Sequence, residues 1–154
     1  METITIQVTK EEVYGEVAKA TDYTGAKLMD GDTTARDRIL ATDSDLTDLS
    51  RFWDDAVLAT NERLKEMVVS GTTKETDGKA AYVGVLEVSK SFDKELTGNV
   101  QTAVKGFFIA SIIGQWFKLA NKGEAADYLA QAGEMMDGAE RLLYSRRKPT
   151  RPSD

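Results

Sequence analysis

The stretch from Val100 to Ala120 constrains this chain more than any other, above all the run FFIASIIGQWF from Phe107 to Phe117. Its apolar residues fall on every side of a helical wheel rather than along one stripe. A helix that is apolar all round has to be surrounded by protein or by lipid. The run is interrupted by Gln115 and closed by Lys118, and falls short of the roughly 20 apolar residues a bilayer span needs. It therefore reads as the central buried helix of a globular domain. Gly106, Ala110 and Gly114 recur four apart and draw one groove of small residues along it. Such a groove admits a neighbouring helix at close range, and that packing has to outweigh a helix penalty of about 1 kcal/mol per glycine. A plain core seam accounts for the groove without any ligand.

The segments before it supply a small sheet and two helices. From Thr3 to Val8 the chain alternates, with Ile4, Ile6 and Val8 on one face, the pattern of a half-buried strand. Thr9 with Glu12 three residues on makes a capping box for a helix. That helix should bury Val13, Val17, Ala20 and Thr24 and end between Gly25 and Met29. Asp30-Gly31-Asp32 breaks the chain, and a short helix is expected around Ala35 to Leu40. Thr42-Asp43-Ser44-Asp45 opens a second long helix, expected to run to Val69, with Leu46, Leu49, Trp53, Ala56, Val57, Thr60, Leu64 and Met67 at a period of 3.6. Asp77-Gly78 is a hairpin signal between a strand from Ala81 to Val88 and a weaker one from Gly71 to Thr76.

After the hairpin, Ser91-Phe92-Asp93 leads into the central helix, which Gly98-Asn99 could kink or delay. Asn121 should end it and cap the next, expected over residues 122–146. That last helix has a broad apolar stripe of Ala125, Tyr128, Leu129, Ala132, Met135, Met136, Ala139, Leu142 and Leu143. Pro149 stops it. The expected fold is mainly α: a helical bundle around a buried central helix, with a small antiparallel sheet of N-terminal strand plus hairpin. It makes one domain over residues 1–146, followed by a basic tail, 147–154.

Composition narrows the chemistry. At 154 residues the chain fits a single core. It has no Cys and no His, so thiolate nucleophiles, zinc sites of the usual ligands and His-based triads are excluded. An enzyme would have to work with carboxylates, Lys, Tyr or Ser alone, and no such constellation is visible; the chain reads as a non-enzyme that needs no metal or cofactor. Absent cysteines fit a reducing compartment, and no leader or long apolar run marks secretion or a membrane span. Two possible calcium loops fail. Counted from Asp30, positions 6 and 12 are Ala35 and Ala41; counted from Asp43 they are Asp48 and Asp54, where Gly and Glu are needed. Ser91-Phe92-Asp93-Lys94 matches a bare Ser-x-x-Lys, without the partner motifs of penicillin-recognising enzymes.

Charge is unevenly spread. The net charge is −6, yet from Arg141 onward five basic residues stand against one acid, Asp154. Between Asp30 and Asp55, eight aspartates stand against three arginines. An acidic body with a basic tail is a polarity that suggests partners. The candidate partner-binding residues are Arg146, Arg147, Lys148, Pro149 and Arg151. The bland alternative is a solvated end whose cations favour a helix C-terminus.

The run FFIASIIGQWFKLANKGEAADYLAQAGEMMDGAERLLYSRRKPTR resembles the C-terminal halves of small proteins from tailed phages and prophages of gut Bacteroides-like bacteria. The shared features are an apolar helix ending in Trp-Phe, a short Asn-containing link, an Ala- and Met-rich amphipathic helix, and Tyr-x-Arg-Arg-Lys-Pro-x-Arg. LEVSKSFDKEL belongs to the same likeness, which covers roughly Leu86 to Arg151. In broader outline the chain is similar to head–tail connector (adaptor, neck ring) proteins. The resemblance implies a virion structural protein at the phage neck, assembled in the bacterial host cytoplasm. It also implies that the protein forms a homo-oligomeric ring and docks on the portal or a neighbouring neck or tail protein, with no membrane contact and DNA contact at most indirect in the channel. The alternative is a DNA-associated or regulatory helical module using the basic tail on phosphates, which the acidic body opposes.

Overall fold

In the computed structural model, which describes residues 2–27, 46–120 and 122–146, the alternating N-terminal segment forms β1 (Glu2–Thr9). Ile4, Ile6 and Val8 are buried, while Thr3, Thr5 and Gln7 face solvent. The chain passes directly into α1 (Lys10–Lys27), which buries Val13, Val17 and Thr21. Thr21 meets its desolvation by donating its hydroxyl to the Val17 and Ala18 carbonyls at 2.9 and 3.1 Å. The side chain of Thr24 and the expected helix at residues 35–40 lie outside the described residues.

α2 covers Leu46–Arg63, so it stops well before the expected end at Val69. Leu64 N–H still reaches the Thr60 carbonyl at 3.0 Å, and Val68 N–H then closes on the Leu64 carbonyl at 3.0 Å. From there the β-branched pair Val68-Val69 enters β2 (Val68–Thr76), paired to β3 (Lys79–Val88) with a bulge between Val68 and Ser70. The helical period of Leu64 and Met67 was genuine, but strand pairing outweighs the weak helix propensity of two valines. Phe52, absent from the expected stripe, is buried with Trp53. At the hairpin tip both Asp77 (φ 53°) and Gly78 (φ 76°) take left-handed backbone, the requirement of a two-residue type I′ turn.

The sheet order is β1-β3-β2, with both pairs antiparallel. One face carries Ile4, Ile6, Val8, Tyr82, Leu86 and Val88 into the core. Against it lies α3 (Thr97–Ala120), which touches α1, α2, β1 and the final helix. Gly98-Asn99 does not delay α3, whose helix already includes both residues. A 3-10 turn (Lys94–Leu96) precedes it, started by Asp93, whose carboxylate accepts from Glu95 N–H at 3.0 Å. Phe108 and Ile112 are fully buried and Trp116 is 6% exposed. Trp53, Phe108 and Tyr82 meet ring to ring, at centroid distances of 4.9 and 5.4 Å, and join α2, α3 and β3. An ion pair of 2.6 Å from Lys105 to Glu12 adds a surface tie between α3 and α1.

α4 (Lys122–Tyr144) runs back along α3, ending two residues short of the expected boundary. The small-residue groove of α3 receives it: a Cβ on Gly106 would lie 3.0 Å from Met135 Sδ, and one on Gly114 2.7 Å from Leu129 Cδ2. The glycines therefore belong to a helix–helix seam. Ala125, Ala132, Met136, Ala139 and Leu143 are buried as the stripe requires, whereas Met135 at its edge is 44% exposed.

Candidate functional site

Of the basic residues named from sequence, Arg141 and Arg146 are described; Arg147, Lys148, Pro149 and Arg151 lie outside the described residues, as do Asp30, Asp32, Asp37, Asp43 and Asp45 of the acidic segment. Arg146 turns back on its own helix. Its Nη1 donates to the Tyr144 carbonyl at 2.8 Å and to the Ser145 carbonyl at 3.1 Å, so the cation closes the negative end of α4. Among the described residues, the hydrogen bonds of the Arg146 guanidinium go to these two carbonyls rather than to a carboxylate. Asp48 pairs locally with Arg51 at 3.5 Å, and Asp54 and Asp55 are exposed on α2.

Beside that helix end, α3 and α4 enclose a shallow groove lined by Ala103, Glu134, Met135, Gly138, Arg141 and Leu142. Its neighbour on α4 is a depression formed by Asp137, Glu140, Arg141 and Tyr144. Arg63, at the end of α2, spans the two carboxylates there. Its Nε donates to Glu140 Oε2 at 2.7 Å and its Nη2 to Asp137 Oδ1. These hydrogen bonds hold the guanidinium pKa above its ordinary value. The fork neutralises the acids and pins the end of α2 to α4. Asp137 and Glu140 sit three apart on the outer side of the helix, a spacing visible in the sequence, but nothing local names Arg63 as their partner.

The sheet presents a second surface, its two edges. Gln101 on α3 accepts from Gln7 N–H at 2.8 Å, and Asn61 on α2 donates to the Gly71 carbonyl at 2.8 Å. Each edge is thus covered at one point by a side-chain amide. Asn61 also accepts from the Tyr82 hydroxyl at 2.8 Å, and Trp53 Nε1 donates to Thr73 Oγ1 at 2.9 Å. This close network explains Gly71, where an added Cβ would fall 2.1 Å from Asn61 Oδ1. Sequence reading missed Gln101 and Asn61 because their partners lie 94 and 10 residues away and are chosen by tertiary packing. Every residue of 72–79 is exposed, and Trp53 Nε1 on Thr73 ties this end of the hairpin to α2.

The described groups with displaced pKa values do not assemble a reaction centre. Burial, with the Asp54 carboxylate adding to it, pushes the Tyr14 hydroxyl up to about 12. Burial alone pushes Tyr82 up to about 12. Lys10 Nζ lies 5.5 Å from the Tyr14 ring centre and 5.6 Å from that of Trp53, a cation held on aromatic faces. No nucleophile–base pair adjoins these tyrosines among the described residues. Nor do the described residues contain a group of three or more His, Cys, Asp or Glu side chains able to hold a metal ion, or a helix long and apolar enough to cross a membrane. What the geometry offers is surface for association: a groove with a polar rim and two sheet edges. Comparison with family models, curated proteins and solved structures finds no match to the chain.

Proposed function

We propose that this protein is a structural component of a tailed-phage virion, a head–tail connector of the neck that self-assembles into a ring and docks on the portal or an adjacent ring. The observation that carries this reading is the resemblance of the run from Phe107 to Arg151 to small proteins of tailed phages and prophages, together with the broader likeness of the chain to head–tail connectors. The α3–α4 hairpin, where the helical part of the likeness lies, is closely packed through Gly106 and Gly114. Exposed association surfaces support the same reading: the groove that Met135 and Leu142 help line, Tyr144 at 50% exposure, and the sheet edges. The basic residues Arg146, Arg147, Lys148 and Arg151, with Pro149 favouring an extended chain, serve as the docking segment, since arginines pair with carboxylates in two-pronged fashion.

The test is sedimentation and particle electron microscopy of the purified chain, alone and mixed with a tailed-phage portal protein. A discrete multi-subunit ring, or a portal complex lost on deletion of residues 147–154, supports the reading. A chain that stays monomeric at every concentration and ignores the portal overturns it.

A further inference from the structure

The ladder geometry fixes which backbone groups the sheet leaves over. In an antiparallel pair, successive residues alternate between bonding the partner strand and pointing away from it. Gln7 N–H is taken by Gln101, and Glu87 N–H is taken by the Met67 carbonyl at 2.7 Å. With the observed registers, Thr3, Thr5, Gln7 and Thr9 of β1 therefore turn N–H and C=O away from β3, as do Gly71, Thr73 and Glu75 of β2. The amides of Gln101 and Asn61 cover these edges at Gln7 and Gly71. Beyond them, Thr3 and Thr5 on one side and Thr73 and Glu75 on the other are exposed.

We propose that the outer edge of β2 around Thr73 and Glu75 pairs with the outer edge of β1 around Thr3 and Thr5 of a second copy, continuing the sheet from subunit to subunit. This names the contact behind the self-assembly proposed above and rests on that reading. Three observations select the occupant. β1 and β2 are both antiparallel to β3 and so run in the same direction, which lets one copy follow the next in a constant sense. Such a head-to-tail contact is the kind that closes into a ring. Second, β1 has neither proline nor charge from Thr3 to Thr9, the devices that usually blunt an edge. Third, two-fold pairing of β2 with itself about Lys74 is disfavoured, because it sets that lysine against its own copy, and like charges directly opposite destabilise a ladder.

Proline tests this selectively. At Thr5 and at Glu75 the N–H points away from β3, so Thr5→Pro and Glu75→Pro each remove an outward donor and no internal ladder bond. Each full-length variant alone should lose self-association and sediment as a monomer. Mixed one to one, they should form a dimer of twice the 16.9 kDa subunit and nothing larger, since each supplies one intact edge. An independent readout on the unaltered chain is hydrogen exchange: the amides of Thr5 and Glu75 should slow on going from dilute to concentrated protein. If the unaltered chain associates but both variants associate equally well, or only one of the two blocks, or these amides stay unprotected, the edge contact is overturned while the ring reading stands. A chain monomeric throughout overturns the edge contact, and one that also ignores the portal overturns the neck reading with it.

Discussion

Leu129 of α4 occupies the space that a side chain on Gly114 of α3 would need: its Cδ2 and Cγ lie 2.7 and 2.8 Å from the position of an added Cβ. The two helices meet there backbone to side chain, with Leu129 N only 3.3 Å from the same point. Helix propensity favours alanine over glycine by about 1 kcal/mol, while overpacking a filled core costs about 1–3 kcal/mol. Gly114→Ala should therefore destabilise the fold by up to about 2 kcal/mol in urea titration. Gly133, on the same α4 but with nothing within 4 Å of an added Cβ, isolates the propensity term. Gly133→Ala should stabilise by up to about 1 kcal/mol. Equal effects from the two variants would mean that the seam is not as close as described.

Thr60 is fully buried on α2, and its hydroxyl has no hydrogen-bond partner among the described residues. An unpaired buried hydroxyl costs about 1–3 kcal/mol of desolvation. Thr60→Val keeps the shape and the β-branch while removing that group. The variant should melt at a higher temperature than the parent; a drop in melting temperature would show that the hydroxyl is satisfied.

Tyr82 and Tyr14 link stability to alkaline pH. Both hydroxyls are raised from 10.0 to about 12 in the fold. In the unfolded chain they ionise near the ordinary value, so from pH 10 upward the unfolded state releases protons that the folded state retains. Their stabilising contribution is complete below about pH 10 and is lost as pH rises through about 12. The urea midpoint should fall over this window, and Tyr82→Phe should flatten the fall. A midpoint that is as steep in Tyr82→Phe as in the parent would remove Tyr82 from the account.

Arg63 joins α2 to α4 through Asp137 and Glu140, with the three side chains 43%, 52% and 34% exposed. Exposed pairs of this kind contribute about 0.2–1 kcal/mol and are screened by salt. Arg63→Ala should cost no more than about 1 kcal/mol at low ionic strength, and the difference from the parent should shrink in molar sodium chloride. A cost that is large and independent of salt would mean that the arginine stem, rather than its charge, holds the helices together.

Much of this architecture was written locally. An all-round apolar run has one outcome in a globular chain, burial, and Phe108, Ile112 and Trp116 are buried. Alternation in β1 and left-handed residues at Asp77-Gly78 each specify their geometry within a few residues, because strand faces and tight turns are short-range properties. The Gly106–Ala110–Gly114 groove announced a close neighbour without saying which one. What the tertiary structure decided were the long-range choices. It ended α2 at Arg63 because Val68 found a place beside β3, and it placed β1 on the far side of β3 from β2. It set Gln101 and Asn61 on the two sheet edges and Arg63 between Asp137 and Glu140. An amide or a guanidinium carries no local pattern that names its partner; only the packing of α2 and α3 brings donor and acceptor within hydrogen-bond distance. For the same reason the basic residues stood out in the sequence, whereas the uncovered edge groups of Thr5 and Glu75 became visible only once the strands were paired.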